Sequence, residues 1–152
     1  MKLVEVTMAT GIQVVFDCAD PLAQAKFWAE ALHYQMQDPP GEFTTWEDRA
    51  RAEGIPEEQW HDSAAIVDPA GSGPRLYFQK VPEGKITKNR VHLDLNVSGG
   101  SEVPLEGHKA AIWAEVERLK SLGAEDHRGA MEKEGEFWVR MNDPEGNEFC
   151  VQ

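Results

Sequence analysis

The spacing of apolar residues divides the chain into two similar halves. Over residues 11–18, Val14 and Phe16 alternate with Gln13, Val15 and Asp17, the period of a strand with one apolar and one mixed face. Asp20-Pro21 then reads as an N-cap followed by proline at the first helical position. Leu22, Ala25, Trp28, Ala29 and Leu32 recur at helical spacing, predicting a helix to about Leu32. Short strands are expected over residues 33–38, 60–67 and 75–81, with a small charged helix over Trp46–Ala52 between the first two. Residues 90–97 open the second half, with Val91, Leu93, Leu95 and Val97 alternating with His92, Asp94 and Asn96. A polar loop with Gly99-Gly100 and Pro104 leads to a helix striped by Ile112, Val116, Leu119 and Leu122, and Gly123 stands where its C′ residue belongs. Strands near 124–127 and 136–141 precede a last turn and strand. Before all of these, Leu3-Val4-Glu5-Val6 reads as an edge strand.

The last turn and strand occur twice. Asn142-Asp-Pro-Glu-Gly146 precedes Phe149-Cys150-Val151, and Val67-Asp-Pro-Ala-Gly71 precedes Leu76-Tyr-Phe-Gln79. Asp-Pro fixes each turn and glycine supplies the permissive backbone. The repetition indicates one unit duplicated, with halves at about 11–82 and 90–152. A chain of 152 residues holds one core and not two independent ones, so the expectation is a single α+β domain spanning 1–152.

Composition narrows the partners. A net charge of −12 argues against nucleic acid and anionic membrane surfaces, both of which would repel the chain. No apolar stretch is long enough to cross a bilayer, and the first twenty residues lack the basic start and apolar run of a signal peptide. The two cysteines, Cys18 and Cys150, form no disulfide framework, which makes a cytoplasmic location the expectation.

Two βαβββ units with Asp-Pro-x-Gly turns resemble the vicinal oxygen chelate superfamily (glyoxalases, bleomycin-resistance proteins and extradiol dioxygenases), and its glyoxalase-like bacterial branch in particular. The resemblance rests on residues 14–21 with Phe27-Trp28 and Leu32 behind them, on residues 90–95, and on residues 138–152. It implies paired modules whose strands form a curved mixed sheet around a central cavity, with helices outside, and it implies a homodimer. Val14, Phe16, Val91, Leu93, Leu95, Phe149 and Val151 would then meet the helices. Gln13, Tyr77, Gln79, His92, Asp94, Trp138 and Cys150 would line the cavity, together with Glu148 and Gln152, which could equally face solvent near the chain end.

Metal-dependent members of the superfamily take ligands from the first and last strand of each module. Those positions here hold Gln13, Tyr77, His92 and Cys150, with tyrosine and cysteine where the superfamily has glutamates. Two carboxylates make the usual hard cage for a divalent ion, and Gln13 and Tyr77 are weak replacements. The expected function is therefore a small-molecule-binding protein without the standard divalent-metal site. Two alternatives remain open. One is a lyase, isomerase or dioxygenase-type enzyme that uses a zinc or other divalent ion on His92, Cys150 and Asp94, or a Cys150–His92 nucleophile pair. The other is a non-catalytic interaction module. Trp46 and Trp60 flank the first-half insertion, which would serve either as a flap placing Trp60 at the ligand or as a cover for a sheet edge. The basic run Lys80, Lys85, Lys88 and Arg90 reads as a solvated connector, with attraction of an anionic ligand as the alternative.

Overall fold

The structure, a computed structural model, describes residues 8–99 and 102–152. The expected edge strand at residues 3–6 lies outside the described residues. The first half runs β1 (Val14–Cys18), α1 (Pro21–Leu32), β2 (Gln35–Met36), α2 (Trp46–Ala52), a 3-10 turn (Glu57–Gln59), β3 (Ser63–Val67) and β4 (Leu76–Lys80). The second half runs β5 (Asp94–Leu95), α3 (Leu105–Leu122), β6 (Glu125–Lys133), β7 (Glu136–Asn142) and β8 (Glu148–Val151). Each half is a four-stranded mixed sheet of the same order, β1-β4-β3-β2 and β5-β8-β7-β6. In both, the first strand lies parallel to the last and the remaining pairs are antiparallel.

The helices begin and end for local reasons. Asp20 accepts the Ala23 N–H at 3.0 Å, Pro21 occupies the first turn, and His33 closes α1 in the left-handed region at φ 56°. Gly123 closes α3 at φ 114°, a conformation glycine adopts without steric cost. Val14, Phe16, Leu76, Phe78, Phe149 and Val151 alternate toward the helices and join Ile112, Val116 and Leu119 of α3 in one core. Trp28 of α1, 1% exposed, reaches both sheets, with its ring 5.2 Å from Phe16 and 5.2 Å from Phe149.

A buried carboxylate joins the halves. Asp143, in the last turn, is 2% exposed, and its Oδ2 accepts from Gln24 Nε2 and Trp28 Nε1, both on α1, at 3.1 Å. Its Oδ1 accepts the backbone N–H groups of Glu145 and Asn147. The neighbouring Glu145 Oε1 accepts the Ala19 N–H at 2.6 Å, and Arg118 of α3 donates to the carbonyls of Glu30 and Ala31 at the far end of α1.

Two expectations change. The strand expected over 90–97 contracts to Asp94–Leu95, and Val91, expected against the helices, is 82% exposed. The approach to β5 is held by a side chain, since Asn89 N–H donates to Glu148 Oε2, and the ladder starts only where Cys150 N–H meets Leu93 O. β6 is longer than expected because Arg128 and Gly129, both at positive φ, form a bulge after which pairing with β7 resumes from Ala130 to Lys133. The paired modules are present as expected, each contributing its own four-stranded mixed sheet. The free side of β1 and residues 89–93 flank a gap of about 300 Å³ over Trp28 and Phe149.

Removing the Asp143 carboxylate would leave two α1 donors buried without an acceptor. Asp143→Ala is expected to lower unfolding stability by about 3 kcal/mol or more, read by urea denaturation. A loss under about 1 kcal/mol would mean that other contacts hold α1 on the second half.

Candidate functional site

Strand alternation and register fix what lies on the open face of each sheet, away from the helices. In the first sheet Val15 pairs with Tyr77, which pairs with Ala65, and Asp17 pairs with Gln79, which pairs with Ser63. One step earlier on the same face, Gln13 stands beside Arg75. In the second sheet Asp94 pairs with Cys150, which pairs with Arg140. One step to either side places His92 near Glu148 and Asn142, and Asn96 near Gln152 and Trp138. The repeat thus aligns Gln13 with His92, Arg75 with Glu148, and Tyr77 with Cys150.

The polar groups of the first face satisfy one another. Arg75 donates from Nη1 to Gln13 Oε1 and from Nε to Gln37 Oε1, each at 2.7 Å, and its guanidinium lies 5.2 Å from the Tyr77 ring centroid. Gln79 Nε2 donates to Asp17 Oδ1 at 2.7 Å. Trp60 is occupied within its own segment, donating to Ile55 O at 2.9 Å beneath Arg51. Trp46 donates to Gln37 O just past β2, as a cover for the sheet edge would.

The second face is different. His92, Asp94, Trp138, Arg140, Cys150 and Gln152 share a cavity of about 410 Å³ with Lys88 and the bulge residues His127 and Arg128. His92 Nε2 lies 3.2 Å from Asp94 Oδ1. One ligand atom from each of His92, Asp94 and Cys150 lies within 4.8 Å of the others. Burial pushes the Cys150 thiol up to about 11, and the charge and hydrogen bonding of Asp94 add to this against Arg140 and Lys88. At neutral pH Cys150 is therefore a protonated thiol beside a carboxylate. Gln152 Nε2 donates to Asn96 Oδ1 at 2.8 Å. Glu148 turns to the connector, with its carboxylate 3.1 Å from Lys85 Nζ and accepting the Asn89 N–H at 2.9 Å. Lys85 is thus a clamp between connector and β8 and not a freely solvated side chain.

Of the four superfamily ligand positions, the structure brings His92 and Cys150 together and engages Gln13 and Tyr77 with Arg75. A divalent ion does not fit the full set, because a permanent guanidinium charge already sits on the Gln13 oxygen and over the Tyr77 ring. The His92–Asp94–Cys150 group is compact enough for one ion to gather. Arg140, Arg75 and Arg128 were not among the expected site residues. Arg140 could have been found from its spacing of two from Trp138, which puts both on one strand face.

The family profile described as "Glyoxalase-like domain" matches residues 13–152. No curated protein matches the chain. Among solved structures, a glyoxalase/bleomycin resistance/dioxygenase family enzyme from Burkholderia phytofirmans PsJN is 14% identical, with 91% of this chain and 94% of that one covered at a TM-score of 0.60. The fosfomycin resistance protein FosX from Listeria monocytogenes is 10% identical, with 96% and 94% covered at 0.62. A variant of FosX from the same organism, complexed with Mn(II) and 1S,2S-dihydroxypropylphosphonic acid, is 12% identical, with 95% and 90% covered at 0.57. At these identities the likeness is one of fold. Among the described residues, no helix is long and apolar enough to cross a membrane.

Two predictions follow from the ionisable groups. Cys18 is raised by burial to about 12 and Cys150 to about 11, so both thiols in the native protein should alkylate with iodoacetamide at pH 8 more than tenfold slower than in urea. Fast alkylation of Cys150 would instead support its role as a nucleophile. Burial would raise the Glu148 carboxyl, but hydrogen bonds from Asn89 and Lys85 override it and hold the group at about 2 against an ordinary 4.5. A depressed carboxyl stabilises the fold above its unfolded value, and that contribution is lost as pH falls from about 4.5 through about 2. Glu148→Gln should flatten this acid limb of the stability profile, and an unchanged limb would place the acid sensitivity elsewhere.

Proposed function

Because the chain belongs to the glyoxalase-like domain family, we propose that it is a small-molecule-binding protein whose ligand lies on the open face of the second sheet, against His92, Trp138 and Cys150. The observation that carries this reading is the contrast between the two faces. Side chains of the first pair among themselves, whereas the second keeps a cavity with polar groups of both signs and an indole on its wall. The ligand is held without a divalent ion at the four superfamily positions, since Arg75 supplies fixed positive charge in the first sheet. FosX, whose fold this chain shares, has been captured with Mn(II) and a phosphonic acid. The present residues support the ligand half of that arrangement better than the metal half.

A second reading has one observation in its favour, the close approach of His92, Asp94 and Cys150. A zinc ion there would have to displace the thiol proton, which Asp94 and burial hold in place.

A fragment screen followed by amide NMR tests the leading reading. Perturbations are expected at Trp138, Arg140 and Cys150, with no stoichiometric metal in protein purified without chelator. Absence of any ligand on this face, or hits only on the first sheet, would sink it. One zinc per chain, lost in Cys150→Ala, would establish the second reading in its place.

A further inference from the structure

The cavity of the second sheet holds more positive charge than its carboxylates neutralise. Arg140, Lys88 and Arg128 all line it, in a chain whose net charge is −12. Of its three carboxylates Glu148 is engaged outside the cavity, while Asp94 and Glu136 remain within it, which leaves an excess of one positive charge. Glu148 is taken by Lys85 and Asn89, and Asp94 lies against His92 and the Cys150 thiol. Glu136, at the start of β7, is exposed. Among the described residues Lys88 Nζ donates only to the Asn89 carbonyl, at 3.2 Å. The sole protein acceptor for Arg140 among the described residues is the Arg128 carbonyl, at 3.1 Å from Nη2, and its Nε is buried with no partner. A buried donor on a charged group left without its acceptor is destabilising, so this arrangement is unfavourable in the free protein.

The backbone next to it adds a second cost. Arg128 lies at φ 60° without being glycine, and Gly129 follows at φ 67°. The left-handed region is sterically unfavourable for a non-glycine residue. The bulge shifts the β6–β7 register between Asp126 and Ala130, and the Arg128 carbonyl then meets the Arg140 guanidinium. Bulges commonly re-aim a side chain beside a site. Two residues before Arg140 on the same strand face, Trp138 offers a half-buried indole to the same cavity. A guanidinium held by a single carbonyl and a flat apolar surface next to it make a matched pair of subsites.

We propose that the pocket is selective for a small aromatic carboxylate, whose anionic head pairs with the Arg140 guanidinium near Lys88 and whose ring lies on Trp138. This rests on the placement of the ligand site in the second sheet and adds to it the charge and shape of the ligand. Arginine suits the task because its planar fork matches a carboxylate, and the charge-assisted bond gains strength where water is partly excluded.

Benzoate and benzamide have nearly the same shape and differ in charge, so calorimetric titration with both isolates the proposal. Benzoate is expected to bind at least about tenfold more tightly, with an advantage that shrinks as salt is raised. Arg140→Gln should abolish the difference by weakening benzoate far more than benzamide, and Trp138→Ala should weaken both. Lys88→Gln, on an exposed side chain, should weaken benzoate alone by a few-fold, and it keeps the test sound should Arg140→Gln melt early. Equal binding of the two probes, or benzoate binding indifferent to both Arg140→Gln and Lys88→Gln, would overturn the charge preference and leave the pocket standing. No heat from either probe would overturn this proposal, and the fragment screen would then decide the pocket separately.

Discussion

The Asp143 carboxylate is the interaction on which the rest of this structure depends. A carboxylate is costly to bury, and this one is offset by donors from two backbone amides, Asn147, Gln24 and Trp28. Three of these belong to its own turn and shape the loop into β8. The other two come from α1, more than a hundred residues away, so a single group both forms the last turn and ties the first helix to the second half. The Trp28 ring is fixed by the same contact and fills the space between Phe16 and Phe149. The gap between the sheets is thereby closed underneath and left open above, and the second sheet is held as a firm floor for its cavity.

The equivalent turn in the first half lacks this reach. Asp68 accepts the N–H groups of Ala70, Ser72 and Gly73 and so shapes its own loop, and these bonds hold its carboxyl below the ordinary range. In the hydrogen bonds observed it receives no side chain from α3. The duplication therefore supplies two copies of a turn, of which one has become the joint between halves. The open faces have diverged in the same manner. Where the first sheet places Arg75 between Gln13 and Gln37, the second places Glu148, which points away to the connector and leaves the neighbouring cavity clear.

Much of the fold was legible because it is written in local signals. Asp20-Pro21 and the stripe through Leu32 give α1 to the residue, Trp46–Ala52 gives α2, and the repeated Asp-Pro-x-Gly turn gives the βαβββ order of both halves. What failed was whatever depends on partners far along the chain. Nothing in the alternation of residues 90–97 tells that Glu148 will hold Asn89 and keep Val91 out of the core. Part of the candidate site's geometry was legible: His92, Asp94 and Cys150 lie close together, since strand neighbours and register follow from the repeat. Arg75 and Arg140 were missed because an arginine on a strand reads as solvated until its cross-strand neighbours are known. The β6 bulge that orients Arg140 depends on Arg128 taking a conformation that residue type alone disfavours.

On the reading proposed above, these two arginines take over at the open faces what a metal would do at the four superfamily positions. The core of Trp28, Phe78, Phe149, Ile112 and Leu119 lies wholly on the helix side of the sheets, so nothing in it requires an ion on the open face. A metal at the four superfamily positions would serve two purposes there, gathering side chains and presenting positive charge to ligand oxygens. In the first sheet Arg75 does the gathering, through Gln13, Gln37 and Tyr77. In the second sheet Arg140 presents the charge, with a protonated Cys150 where a ligand carboxylate would have competed for it. A guanidinium cannot polarise a substrate as a Lewis acid does, but it recognises an oxyanion directly and is charged at every physiological pH. The substitution of glutamate positions by Tyr77 and Cys150 is thus consistent with a change of task, from activating oxygen ligands through an ion to holding an anionic molecule by side chains alone.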